Sequence, residues 1–234
     1  MIKRVVIFLA CLNVIFVPIV CSGEESSSVI LKQIKPEIQE GNPASNNMQA
    51  NKAEKGNMSR VDRIEILVQS AKLKIAQNNP AIEKTFAAAT ASRRSEKSIP
   101  YKKVGHIWKI VLNPPWSPTE NIQKEEIKKR GKKLPKVIPP GKGNPLGIVK
   151  FYILFDGSNS NLGVHNTNSP NSIGKRVSHG CTRLSKDDAT ELARLLLKQN
   201  GFDPDDLFEQ ATKNPKKSIV VELSDRPDIV HFKI

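Results

Sequence analysis

Two runs of β-branched and aromatic residues constrain the fold of this chain more than any other feature. They read VGHIWKIVL (104–112) and LGIVKFYILF (146–155). Residues of these types fit the pleated surface of a sheet and are enriched in strands. Short apolar runs bounded by turn residues are typical of buried strands. The sequence therefore predicts a mainly β domain with these two runs as core strands.

Shorter alternating patterns precede the first of these runs. RIEILV (63–68) and AKLKIA (71–76) are joined by a brief polar step, and KTFAAATA (84–91) follows a turn signal. In the second pattern leucine and isoleucine alternate with lysine, as one buried and one solvated face require. Helix over 61–76 is the alternative, because Lys, Leu, Ala and Gln favour it. The pattern favours strands here, and KSIVVEL (217–223) closes the domain as another strand.

Two helices are predicted late in the chain. Ser185 and Asp188 form a capping box at the start of DDATELARLLLKQ (187–199), and Gly201 suits the left-handed residue beyond its end. The second helix is DPDDLFEQAT (203–212), which opens with an aspartate cap and a proline. The apolar face of the first helix consists of Ala189, Leu192, Ala193 and Leu196.

The stretch between the two core strands, 113–145, holds several prolines and a basic run, QKEEIKKRGKKLPK (123–136). Because prolines cannot donate to a strand ladder, we expect a long loop. Loops of this length are uncommon and often functional, so this one is a candidate substrate-binding flap.

The formal net charge of +14 makes a polyanionic partner a reasonable first hypothesis. The basic run at 123–136 has no interleaved aromatic residues, however, which favours a solvated loop. Attraction to anionic wall polymers or to a membrane surface is the alternative. Nucleic acid is not an expected partner, and steeply salt-dependent binding to duplex DNA would contradict this.

The N-terminal part has the composition of an exported protein. Residues 1–22 combine a basic start, an apolar run and small residues, which is the pattern of a secretory signal peptide. A membrane anchor is the alternative, but Asn13 and Pro18 interrupt a short apolar run. Cleavage as a lipoprotein before Cys21 is disfavoured, because Val20 is too large for the preceding position.

Export and composition together predict the domain organisation. Residues 23–60 are rich in Ser, Asn, Glu, Lys and Gly, cannot bury enough apolar surface to fold, and are expected to be a flexible linker. Residues 61–234 form the predicted folded domain. We expect an exported monomer in the periplasm or cell wall, without a transmembrane span after cleavage.

Cysteine usage singles out one residue. Of the three cysteines, Cys11 and Cys21 lie in the predicted signal peptide, which leaves Cys181 alone in the mature protein. A single thiol in an oxidising compartment is either a buried filler or a reactive group. Its neighbours in SHGCTRL (178–184) favour the reactive group.

A cysteine nucleophile requires an adjacent base or a lowered thiol pKa. His165, at the end of a separate predicted strand, is a better candidate for this base than His179, which is very close to the sulfur in sequence. Gly180 allows close backbone approach, so that neighbouring N–H groups can form an oxyanion hole. Arg183 can bind a carboxylate or hold the loop. A zinc site is the alternative, but no second mature cysteine is available, and no metal is expected.

The stretch GVHNTNSPNSIGKRVSHGCTRLSKDDATEL resembles the signature of the L,D-transpeptidase (YkuD-type) catalytic domain. The similarity extends over 61–223 and includes NPPW, NPLG and EKSIPYKKVGHIWKIVLNPPW, the last in place of a Thr-Pro-x-Gly segment. The resemblance implies a β-sandwich-like catalytic domain with one or two late helices. It points to the periplasmic branch of the family.

The resemblance also implies a reaction and site roles. Cys181 would be the nucleophile and His165 its base, while Ser178, His179, Gly180 and Arg183 would shape the pocket and the oxyanion hole. The implied substrate is the tetrapeptide stem of peptidoglycan, from which D-alanine leaves as a thioester forms. A side-chain amine of another stem then gives a 3→3 cross-link. No cofactor is implied.

The alternative functional hypotheses differ from this one in the acceptor or in whether the protein catalyses a reaction. Water as acceptor would make an L,D-carboxypeptidase, and a lysine of an envelope lipoprotein would make a protein-anchoring enzyme. A wall-binding module without turnover belongs to a different class. The intact Cys181, His165 and Arg183 count against that class.

The chain departs from the family pattern at three places. Asn166 stands where many members have Gly or Ser, and Thr182 replaces an apolar residue after the cysteine. Ile99 and Pro100 replace Thr-Pro. We expect the first two to affect the orientation of His165 and the fit of the cysteine loop, and the third to affect the donor pocket.

Overall fold

The computed structural model describes residues 28–31, 58, 60–223 and 229–234. The predicted signal peptide and most of the predicted linker lie outside the described residues. Among the residues described, no helix is long and apolar enough to cross a bilayer.

The described part of the chain is mainly β, as predicted, with three helices. The strands are β1 (Ser28–Leu31), β2 (Arg63–Leu67), β3 (Lys72–Gln77), β4 (Ile82–Ala87), β5 (Thr90–Ala91), β6 (Val104–Leu112), β7 (Val149–Phe155), β8 (Ser158–Asn166), β9 (Arg176–Ser178), β10 (Thr182–Leu184), β11 (Ser218–Glu222) and β12 (Ile229–Lys233). The helices are α1 (Glu120–Arg130), α2 (Lys186–Gln199) and α3 (Pro204–Lys213).

One large sheet runs in the order β10-β8-β7-β6-β12-β2-β3-β4 and branches at β6. Along one edge β6 pairs with β7; on the other edge its first half pairs with β12 and its second half with β11. The strand patterns at 63–68 and 71–76 form the β2–β3 hairpin, so the helical alternative for 61–76 is not adopted.

Strand β12 was not predicted, although it joins the two parts of the sheet. It pairs in parallel with β2 and antiparallel with β6. Its short sequence, IVHFK, gives little local signal, and the pairing partners are distant in the chain.

Residues 28–31 form a strand within the predicted flexible linker 23–60, in which Met58 is also buried. β1 pairs in parallel with β11, with Ser28 opposite Ser218 and Leu31 opposite Val221. The linker prediction is therefore wrong at 28–31, because this short SVIL run has β-branched residues that suit an edge strand.

Both late helices begin directly after their predicted N-cap residues. The Ser185 hydroxyl accepts from the Asp188 N–H at 3.1 Å, and Gly201 has φ +77°. Asp203 caps α3 in the same way. The predicted apolar face of α2 is buried, together with Leu197. Each fully buried leucine contributes about 2 kcal/mol of hydrophobic stabilisation.

The prediction of a loop throughout 113–145 is wrong at α1. This helix begins after the Thr119 cap and ends at Gly131, whose φ of +66° is left-handed. None of its residues is buried, so no apolar periodicity marks it in the sequence. The basic run therefore lies largely on a solvated helix, while the remainder of the segment is irregular.

Candidate active site

A cavity of about 1530 Å³ lies against one face of the sheet. Its floor comes from β7, β8 and the Cys181 loop, and its walls come largely from the excursion between β6 and β7. Five predicted site residues line this cavity: Cys181, His165, Ser178, His179 and Arg183.

The parallel pairing of β10 with β8 brings the two signature segments together. Arg183 stands opposite His165 in this register, and Cys181 immediately precedes β10. Because side chains alternate along a strand, Cys181 and Arg183 share a face with His165. Cys181 is half-buried, and its Sγ lies 3.5 Å from the main-chain oxygen of Asn161 on β8.

His165 is buried with its ring held in one orientation. Its Nδ1 lies 2.7 Å from the main-chain oxygen of Asn166. Because a carbonyl oxygen only accepts, Nδ1 carries the proton and Nε2 keeps its lone pair. Burial lowers the pKa of His165 from 6.5 to about 4; the bond to Asn166 opposes this, and the charges of Arg183 and Lys150 add to it. The imidazole is therefore neutral near pH 7 and can accept a proton.

Gly180 requires a conformation that other residues avoid. Its φ is +136°, and an added Cβ would lie 2.8 Å from the Leu162 side chain. Its N–H donates to the buried Ser178 hydroxyl at 3.1 Å. Ser178 thus stabilises the turn that carries Cys181.

His179 faces the excursion rather than the sulfur. Its Nε2 lies 2.9 Å from an oxygen of Glu125 on α1. The hydrogen bond from His179 lowers the pKa of Glu125. This contact links the signature segment to the candidate flap.

The sequence model of the YkuD family, described as the L,D-transpeptidase catalytic domain, matches residues 63–220. This chain belongs to the L,D-transpeptidase catalytic domain family.

Curated relatives carry the same family name. "Probable L,D-transpeptidase ErfK/SrfK" of Escherichia coli (strain K12) is 43% identical over 75 residues, covering 32% of this chain and 22% of the relative. "Probable L,D-transpeptidase YcfS" of the same organism is 42% identical over 119 residues, covering 50% of this chain and 32% of the relative. The matched regions thus span a third or less of these relatives' length.

A solved structure gives a weaker likeness. L,D-transpeptidase 3 from Mycobacterium tuberculosis is 11% identical with a TM-score of 0.38, over 68% of this chain and 60% of that one.

The first departure from the L,D-transpeptidase family pattern, Asn166, has a structural role. Its side-chain oxygen accepts from the backbone N–H groups of Ile148 at 2.6 Å and Val149 at 3.0 Å. A Cβ at Gly147, where φ is +66°, would lie 1.9 Å from the Asn166 amide. Asn166 therefore holds the start of β7 against the strand that carries His165, and Gly147 leaves room for it.

The second departure, Thr182, is buried with its hydroxyl unpaired among the described residues. A buried hydroxyl without a hydrogen bond costs free energy, and valine has the same shape without that group.

We therefore expect Thr182→Val to increase the free energy of unfolding by about 1 kcal/mol. Urea unfolding of both proteins measures this difference, with Thr190→Val on α2 as the matched control. Thr190 donates to the main-chain oxygen of Lys186 at 2.8 Å, so its replacement should give no gain. A destabilised Thr182→Val variant would show that this hydroxyl has a partner.

Lys150 and Tyr152 were not predicted as site residues. They alternate along β7 on the face that lines the cavity. The sequence signal was available, since a lysine interrupts the otherwise apolar run VKFYILF. Among the residues described, no three His, Cys, Asp or Glu side chains cluster as metal ligands would.

Proposed function

We propose that this chain is a peptidoglycan L,D-transpeptidase with Cys181 as nucleophile and His165 as general base. The supporting observation is that a neutral, oriented imidazole and a half-buried thiol line one cavity of a domain in this family. Ser178, His179, Gly180 and Arg183 are proposed to shape the pocket.

In the first half-reaction, Nε2 of His165 takes the thiol proton and Sγ attacks the carbonyl carbon between the third stem residue and terminal D-alanine. Backbone N–H groups beside Gly180 stabilise the oxyanion. The imidazolium then returns the proton to the leaving amine as the C–N bond breaks, which leaves a thioester and D-alanine.

In the second half-reaction, a side-chain amine of another stem attacks the thioester and His165 accepts its proton. The amide forms, the C–S bond breaks, and the proton returns to sulfur. Burial and the cations Arg183 and Lys150 disfavour the imidazolium, which favours rapid return of the proton in both steps.

The test incubates the full chain with a disaccharide-tetrapeptide and analyses the products by mass spectrometry. We expect cross-linked dimers with loss of D-alanine. Tripeptide without dimers would instead identify water as the acceptor and make the protein an L,D-carboxypeptidase.

An unchanged peptide despite folded protein would contradict turnover on this substrate. Adding a lipoprotein with a reactive lysine then separates a protein-anchoring enzyme from a wall-binding module. Processing at residues 1–22 in cells, read from the mature N-terminus, tests the proposal of export to the periplasm or wall.

A further inference from the structure

The charged side chains that line the cavity around Cys181 are all cationic. Among the described residues that line it there is neither an aspartate nor a glutamate. Its cationic lining residues are Lys103, Lys142, Lys150, Arg183 and Lys186. Glu125 contacts the lining residue His179 but does not line the cavity itself. A concave wall of one sign concentrates ligands of the opposite sign, so this cavity favours an anion.

Lys150 occupies the floor of this cavity beside the reacting groups. It stands opposite His165 in the β7–β8 register. Burial lowers the pKa of Lys150, the Cys181 charge opposes this, and Lys109 adds to it. In the described part of the chain, no carboxylate forms an ion pair with Lys150 or Arg183.

An aromatic ring positions the Lys150 ammonium. Its Nζ lies 4.2 Å from the centre of the Tyr152 ring, and Nζ of Lys109 lies 4.5 Å from the same ring. The two cations face different opposing charges. The charge of Glu222 raises the pKa of Lys109 and acts against the burial that lowers it. Lys150 is thus the cation of the pair that is opposed by the Cys181 charge and not by a carboxylate.

The chemistry of the proposed donor supplies a matching anion. The carboxylate of terminal D-alanine is separated from the scissile carbonyl carbon only by the amide nitrogen and the α-carbon. When Sγ of Cys181 meets that carbonyl carbon, this carboxylate must lie close to the cavity floor. A half-buried ammonium binds a carboxylate more strongly than an exposed one does.

We propose that Lys150, with Arg183 beside it, binds the C-terminal carboxylate of the donor peptide and positions its scissile bond at Cys181. This inference rests on the proposed function and adds the group that recognises the donor. Lys150 acts as a positioning residue, since it takes no part in bond making or breaking.

A comparison of two alkylating reagents tests the subsite without turnover. Iodoacetate carries a carboxylate and iodoacetamide is its neutral analogue, so the ratio of their rates at Cys181 cancels changes in thiol reactivity. Peptide mass spectrometry reads the reaction at Cys181, since the full chain also contains Cys11 and Cys21. In Lys150→Met we expect the iodoacetate-to-iodoacetamide ratio to fall about tenfold.

Two variants control for charge and fold. Lys150→Arg keeps the cation and should keep the ratio within about threefold of the wild type. Lys103→Met removes a cavity lysine that already pairs with Asp156 at 2.6 Å, and should change the ratio less than about twofold. A ratio in Lys150→Met equal to that of the wild type would overturn the proposal.

A measurement on the wild type decides the question if Lys150→Met does not fold. N-acetyl-D-alanine should slow alkylation of Cys181 by iodoacetamide, whereas N-acetyl-D-alaninamide at the same concentration should not. Equal effects of the two compounds would contradict carboxylate binding.

Kinetics connect the subsite to the proposed reaction. With a tetrapeptide donor, Lys150→Met should raise KM more than it lowers kcat. With a donor that ends in D-alaninamide, the variant and the wild type should have similar KM values. Turnover with an unchanged alkylation ratio would refute the subsite alone. A changed ratio without turnover would refute the proposed function alone.

Discussion

Cys181→Ala is expected to lower the rate of D-alanine release by at least about a thousandfold, because Cys181 is the only thiol among the described residues that can form the thioester. The side chain is half-buried and alanine is smaller, so the thermal unfolding midpoint should stay close to that of the wild type. Mass spectrometry of intact protein with tetrapeptide should detect an acyl adduct only where Cys181 is present.

His165→Gln is the matched comparison, since it keeps the nucleophile and removes the base. Acylation should slow while the peptide still binds, as equilibrium binding to this variant can measure. A Cys181→Ala protein that still released D-alanine at the wild-type rate would refute the mechanism.

Acidification is expected to remove about 3 kcal/mol of stability from the wild type through His165. The pKa of this histidine is about 4 in the folded protein and near 6.5 when exposed. Between these values the unfolded chain binds a proton that the folded chain does not. The contribution of His165 to the free energy of unfolding is therefore complete above pH 6.5 and falls as the pH drops towards 4.

Urea unfolding of the wild type and His165→Gln between pH 4 and 8 measures this effect. The difference in unfolding free energy should be flat above pH 6.5 and should shift against the wild type below it. Carboxylates with lowered pKa, such as Glu65, also lose stability as the pH falls, but they are common to both proteins and cancel. A difference that does not change with pH would mean that His165 charges freely in the fold.

Local signals predicted elements whose partners lie close in the chain. β6 has the predicted bounds, because a β-branched run carries its own conformational preference. The caps of α2 and α3 were read correctly, since a capping side chain lies only two or three residues from the N–H it accepts. The pairing of Cys181 with His165 was suggested by the position of His165 on a separate predicted strand and was assigned from the family resemblance; spacing alone did not determine it.

Elements without a local apolar pattern were missed. α1 buries none of its residues, so the sequence has no apolar pattern there that would predict a helix in place of the expected loop. β1 and β12 are short and gain their stability from strands far away in sequence. Asn166 was expected to affect the orientation of His165 or the fit of the cysteine loop, whereas its side chain holds the backbone of Ile148 and Val149.

The sequence by itself determined the mainly β class and the late helices, and it singled out Cys181 and His165 as the proposed thiol and imidazole, because these depend on residue type and short-range order. Only the tertiary structure decided that Lys150, Tyr152 and Arg183 share one floor with Cys181. The register of β7, β8 and β10 creates that neighbourhood, and register depends on long-range pairing across the sheet.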